Sequence, residues 1–214
     1  NAIADASTAE DAAYSISVSS VFADVDVGDV LTYTISGAPS TITISGSTIS
    51  GTPVNADVGQ HTIVVTATDD GTGTLSVSDT FILTVTNTND APTISSTAVT
   101  AVNEDAAYSY TVTASDVDAG DTVTLTGTNV PTWMTFVAST GALTGTPTNS
   151  EVGSHAVVIT ATDVAGASVT DSFTVVVSNT NDAPTVASAL VDATVAEDAA
   201  YSISVSSVFA DVDV

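Results

Sequence analysis

Apolar and polar residues alternate through most of this chain, in short runs broken by turns. In "FTVVVS" the apolar Phe173, Val175 and Val177 fall on one side of an extended segment. Phe81, Leu83 and Val85 do the same in "FILTVT". Further runs place Ile63, Val65 and Ala67 together, then Val157, Ile159 and Ala161, then Tyr108, Tyr110 and Val112, and Leu31, Tyr33 and Ile35. A period of two residues is that of a strand with one buried face. The runs are separated by Gly- and Pro-bearing turns such as "VGD", "SGAP", "STG" and "GTP". No segment carries a convincing helical period. Seven or so short strands in roughly 90 residues fit an all-β sandwich of immunoglobulin-like size.

The pattern is also repeated at long range. "EDAAYS" begins at Glu10, Glu104 and Glu197, and "DVDVGD" at Asp24 matches "DVDAGD" at Asp116. "SGTPVNADVGQH" matches "TGTPTNSEVGSH", and "NTNDAP" occupies 87–92 and 179–184. A period of this length makes each repeat one domain. The boundaries expected are 1–90 for the first repeat, 91–182 for the second, and 183–214 for the amino-terminal fragment of a third. Residues 196–214 are identical to 9–27. The fragment alone carries one or two strands and no partner sheet, and an isolated hairpin is marginal in water.

Charge narrows the function classes. The 214 residues include 25 Asp plus Glu and no Lys or Arg. Nucleic acid and anionic membrane surfaces are excluded as partners, because both need cationic side chains. A hydrophobic share of 43% excludes an acidic disordered tail. There is no Cys for disulfides and no Lys for a lysine–asparagine cross-link. Apolar runs such as "HAVVIT" are too short to span a bilayer as a helix, so membrane insertion is not expected. The opening "NAIADAST" lacks the basic start and apolar core of a secretion signal. The chain is therefore expected to be an excerpt of a longer protein.

The acids gather at turns. Repulsion there must be relieved by water, protons or bound cations, because no Lys or Arg exists to do it. A hard cation such as Ca²⁺ takes six to eight oxygens, and no single loop here supplies them. "DVDAGDTVTLTG" lacks both the ligand spacing and the closing Glu of a calcium-binding helix–loop–helix motif. A composite site built from several turns is the remaining route. His61 and His155 have no second His or Cys nearby in sequence, and no nucleophile–base pattern or phosphate-cradling loop is visible. An enzyme is not expected. Trp133 is expected in the core or covering a pole, and Asp79 and Asp171 on strand surfaces.

Taken together these motifs resemble a known family. A Glu in the first strand, then DxD, then TATD followed by Gly, then an Asn-Asp-Pro linker resembles cadherin repeats. The stretch from "VPTWMTF" to "NTNDAP", 130–184, resembles still more the dystroglycan-type cadherin and Putative-Ig repeats of very large secreted bacterial adhesins. The first repeat departs by carrying "PSTITI" in place of "PTWMTF", and the linker by Asn87 where cadherins carry Asp and Ala91 where they carry Asn.

The resemblance implies tandem Greek-key β-sandwiches with Ca²⁺ held between successive domains. For the first linker it implies Glu10, Asp57, Asn87, Asn89 and Asp90 on one side, with Asp116, Asp118 and Asp163 on the other. For the second it implies Glu104, Glu151, Asn179, Asn181 and Asp182, with Asp211 and Asp213. Asp24, Asp26 and Asp69 would serve a preceding repeat. Asp11, Asp29, Asp105 and Asp121 neighbour these sets. The implied function is an extracellular, calcium-rigidified stalk that spaces a distal binding domain and supports adhesion, with calcium and neighbouring repeats as partners. Two alternatives remain open: a module binding carbohydrate or protein, or a filament subunit joined to another copy through 183–214.

Overall fold

The computed structural model describes residues 2–26 and 28–213. The chain divides into two compact units, Asn1–Asp90 with Val117–Gly120, and Ala91–Asp116 with Asp121–Val214.

In the first unit seven strands form two sheets. They are β1 (Ala6–Ala9), β2 (Tyr14–Ser17), β3 (Thr32–Ser36), β4 (Ile42–Ser45), β5 (Thr48–Gly51), β6 (Gly59–Thr68) and β7 (Ser76–Thr86). One sheet has the order β1-β7-β6-β3 and the other β2-β5-β4. β1 runs parallel to β7, with Ala6 opposite Leu83, and the remaining pairs are antiparallel. The residues singled out by alternation fill the space between the sheets. Ile63, Val65, Phe81 and Leu83 are at most 1% exposed, and Tyr14, Val18, Ile42 and Ile49 face them. Fully burying such a side chain stabilises the fold by about 1.5–3 kcal/mol relative to exposing it.

The second unit repeats this plan with β9 (Ala101–Asn103), β10 (Tyr108–Thr111), β12 (Thr124–Asn129), β13 (Met134–Val137), β14 (Ala142–Gly145), β15 (Gly153–Thr162) and β16 (Ser168–Ser178). Its sheets are β12-β15-β16-β9 and β10-β14-β13. β9 again runs parallel to the last long strand. A short extra pair joins β8 (Thr93–Ile94) to β11 (Ala114–Ser115). Trp133 packs edge-on against Tyr108 and His155, so it belongs to the edge of this core.

The glycine of each "GTP" turn has a packing reason. A Cβ on Gly51 would lie 1.9 Å from the Thr41 carbonyl oxygen, and one on Gly145 would lie 2.4 Å from that of Trp133. Only glycine permits so close a backbone approach. The proline that follows next but one offers its carbonyl to an aspartate: Asp11 N–H donates to Pro53 O and Asp105 N–H to Pro147 O. Those aspartates sit at φ +59°, a left-handed conformation that Asp adopts more readily than most residues.

After the second sandwich, β17 (Thr185–Val186) pairs with β18 (Phe209–Ala210) over two residues each. Val208 is buried, whereas Tyr201, Ile203, Val205 and Phe209 are exposed. The same sequence in the first unit places Tyr14, Val18 and Phe22 in a core, because there β2 lies against β5. Burial is thus set by the partner strand and not by the segment itself.

Charge is segregated by element. Of the 25 acidic residues only Asp79 and Asp171 lie in strands, and both are half-buried on the side of the strand that points inward. Asp79 accepts the Ile3 N–H at 2.6 Å, so it is an internal tie and not the surface residue the sequence suggests. The outward sheet positions carry hydroxyls in rows. Thr34, Thr66 and Ser78 stand side by side in the first unit, and Thr126, Thr160 and Thr170 in the second. No outward strand position among the described residues bears a carboxylate.

Candidate cation sites at the linkers

Each candidate site begins with a glutamate at the end of a strand. β1 ends at Ala9, and the Glu10 N–H continues the parallel ladder by donating to Thr86 O at 3.0 Å. This register turns the Glu10 side chain toward the chain leaving β7. Its Oε1 accepts the Thr88 N–H at 2.9 Å. Glu10 is 2% exposed, and its Oε2 is buried without a hydrogen-bond partner. The second unit does the same: Glu104 N–H donates to Ser178 O, Glu104 Oε1 accepts Thr180 N–H at 2.6 Å, and Oε2 is buried and unpartnered. A buried carboxylate oxygen without a donor is costly, the more so for a charged group.

Other carboxylates converge on these glutamates. One oxygen each from Glu10, Asp11 and Asp90 lie within 4.8 Å of one another, and so do oxygens of Glu104, Asp182 and Asp213. In the latter set Asp213 Oδ2 accepts the Asp182 N–H at 2.6 Å, and Asp213 Oδ1 is a further buried oxygen with no partner. Burial pushes the Asp182 carboxyl above its usual range, with Asp213, Asp105, Glu104 and Asp211 adding repulsion. Asp24, Asp26 and Asp29 form a third such group, where burial and then Asp24, Asp70, Asp26 and Asp69 raise Asp29. Asp116, Asp118 and Asp121 form a fourth within a single turn.

The acceptor pattern explains the DxD spacing. Asp24 Oδ1 accepts Asp26 N–H at 2.9 Å and Asp211 Oδ1 accepts Asp213 N–H at 3.0 Å, which curls the turn so that its aspartates lie together. Asp118 is 6% exposed, and its two oxygens accept from Asn55 Nδ2 and Asp90 N. The aspartates of "TATD" shape the next turn: Asp69 Oδ1 accepts from Gly71 and Leu75, and Asp163 Oδ1 from Gly166 and Ala167.

Asp57 and Glu151 have a different setting. Each sits in a one-turn 3₁₀ helix, Asn55–Asp57 or Asn149–Glu151, and turns its carboxylate back onto it. Asp57 Oδ2 accepts Thr41 Oγ1 at 2.6 Å and Val54 N–H at 3.1 Å, which with Thr41 leading holds its carboxyl below the usual range. Glu151 accepts from Thr148 and Ser150, with the same effect. Neither belongs to a close carboxylate group. The asparagines Asn87, Asn89, Asn179 and Asn181 are exposed. Asn89 and Asn181 donate to the carbonyls of Asp90 and Asp182, whereas Asn179 Oδ1 accepts from Asn149. His61 and His155 donate through Nε2 to the Asp57 and Glu151 carbonyls, bracing the 3₁₀ turns.

The structure adds Asp11, Asp29 and Asp121 to the carboxylate groups. Their signal was adjacency to Glu10 and to "DVD". It also brings in Asn55, for which sequence offered no signal beyond its place in a repeated turn.

A model of the Putative Ig domain matches residues 1–86 and again 91–178. The chain belongs to this family. Its two copies are the two sandwiches described above. Among curated proteins, the "Serine-rich adhesin for platelets" of Staphylococcus aureus strain MRSA252 is 31% identical over 145 residues, 67% of this chain and 10% of the adhesin. The protein of that name from strain MW2 is equally similar over 6% of its length. The chain thus spans a small fraction of the relatives it matches. Solved structures that align with the chain include mouse cadherin-23 EC22–24 at 19% identity and TM-score 0.49, covering 86% of this chain and 66% of that one. Another is protocadherin gamma B2 domains 1–5 at 21% and 0.47, covering 86% and 41%. An endo-fucoidan hydrolase of glycoside hydrolase family 107 aligns at 27% and 0.38, covering 84% of this chain and 28% of the enzyme.

Proposed function

We propose that this chain is a non-catalytic extender segment of a large cell-surface or secreted adhesin, stiffened by Ca²⁺ bound at its linkers. The observation that carries the reading is the group Glu104, Asp182 and Asp213, with its two buried oxygens that lack donors. A protein without Lys or Arg has no side chain of its own to answer that charge, apart from a His. A hard cation with oxygen preference fits the donor set. Glu104, Asp182 and Asp213 would hold it at the second linker, and Glu10, Asp11 and Asp90 at the first. The ion would supply the positive charge that allows these carboxylates to stay together. Family membership and the adhesin relative support the adhesive, extracellular setting.

Two measurements test the reading. Melting followed by Trp133 fluorescence should move upward with calcium. At 10 mM calcium and the 10⁻⁴–10⁻³ M affinities of extracellular calcium modules, each site contributes about 1.4–2.7 kcal/mol. Solution scattering should give a broader distribution of dimensions in EDTA than in calcium. Superimposable melts and scattering curves would refute metal binding.

A further inference from the structure

The two linkers meet their acceptor aspartates differently. In the first unit Asp118 has a neutral donor on each oxygen: Asn55 Nδ2 at 3.0 Å on Oδ1 and Asp90 N at 2.8 Å on Oδ2. In the second unit Asp213 Oδ2 takes the Asp182 N–H at 2.6 Å, the equivalent of the Asp90 contact. The equivalent of Asn55 is Asn149, whose amide instead donates to Asn179 Oδ1 at 3.3 Å, and Asp213 Oδ1 stays buried and unpartnered.

The turn that carries Asn55 is itself held firmly. Asp57 caps it through Thr41 and Val54, and His61 braces the Asp57 carbonyl. Asn55 therefore presents its amide from a fixed platform. A hydrogen bond to a charged acceptor is stronger than one between neutral groups, and an acceptor with both oxygens engaged has little freedom to turn away.

We propose that Asn55 is a positioning residue that fixes Asp118 on the Asp90 amide without any cation, and that the second linker lacks this metal-independent hold. Asn55 thus does at Oδ1 of Asp118, with a neutral dipole, part of what a cation would do. The proposal stands apart from calcium binding, because it concerns the protein in chelator.

Amide hydrogen exchange of the full chain in EDTA tests it. The Asp90 amide should exchange about tenfold or more slowly than the Asp182 amide, the scale of one hydrogen bond to a charged group. Asn55→Ala should bring Asp90 to the rate of Asp182, and so should the near-isosteric Asn55→Asp, which sets a carboxylate against Asp118. The Thr88 amide, held by Glu10, and the core amides of Ile63 and Val65 should keep their protection. Asn149→Ala should leave Asp182 unchanged. Equal exchange at Asp90 and Asp182 in the unaltered protein overturns the proposal. So does protection of Asp90 that survives both Asn55 substitutions, or a loss spread evenly over Ile63, Val65 and Thr88.

Discussion

Glu104 Oε1 lies 2.6 Å from the backbone nitrogen of Thr180, so a strand-end carboxylate holds the first turn of the linker that follows the last strand of its own domain. Glu104→Ala removes the acceptor and leaves that N–H unsatisfied. It should lower the stability of the second unit by about 1–3 kcal/mol. Glu104→Gln keeps an acceptor at Oε1 but removes the charge. It should melt at or above the unaltered protein in EDTA while losing most of the gain from calcium. Trp133, the single tryptophan of the chain, reports both by fluorescence.

The raised Asp182 carboxyl sets a pH dependence for the metal-free protein. Its usual value is 3.8, and in the fold it titrates higher because of burial and four neighbouring acids. The folded state therefore holds the proton more tightly than the unfolded chain. The associated stability is fully present below 3.8 and is lost as pH rises through the folded value. Thermal melts in EDTA from pH 3 upward should show that decline, and Asp182→Asn should remove this contribution.

Asp57 should behave with the opposite sign. Its carboxyl is lowered mainly by the Thr41 hydroxyl, so the unfolded chain binds the proton more readily. The stabilisation is present above 3.8 and is lost as pH falls through the folded value. Thr41→Val should shift Asp57 back toward its usual range in a carboxyl NMR titration. The side chain is largely solvent-screened, so the accompanying change in melting should be small.

A Cβ at Gly145 has no room. It would meet the Trp133 carbonyl oxygen at 2.4 Å and Trp133 Cε3 at 2.9 Å. Gly145→Ala should destabilise the second unit by about 1–3 kcal/mol, the usual cost of overpacking. The Trp133 emission spectrum of the folded protein should shift as well, because the indole must move.

The strands were legible because their core residues alternate, and Phe81, Leu83 and Val85 needed only a period of two to be placed. The repeat made Glu10 and Glu104 visible as equivalents, and the structure sets both on the linker amides at Thr88 and Thr180. The inward tie of Asp79 was not legible, because its donor is Ile3, 76 residues away in sequence. Asn55 was hidden for a related reason. An amide in a turn carries no signature until the fold brings Asp118 to it. The different partners chosen by Asn55 and Asn149 arise from identical local sequence roles, so only three-dimensional placement separates them.

The hydroxyl-covered sheet faces change how salt should act. Apart from the inward-facing Asp79 and Asp171, carboxylates stand at the two ends of β7 or β16, and a strand of 11 residues spans about 35 Å. That is roughly four screening lengths at physiological ionic strength. One bunch of charge is therefore nearly invisible to the bunch at the other end, while acids inside a bunch still feel each other at a few ångströms. Electrically each sandwich carries separate anionic knots at its ends, joined by strands whose single carboxylate, Asp79 or Asp171, points inward. Sodium chloride should alter it little once the knots are screened from one another, whereas a divalent ion that enters a knot acts on all of its acids together.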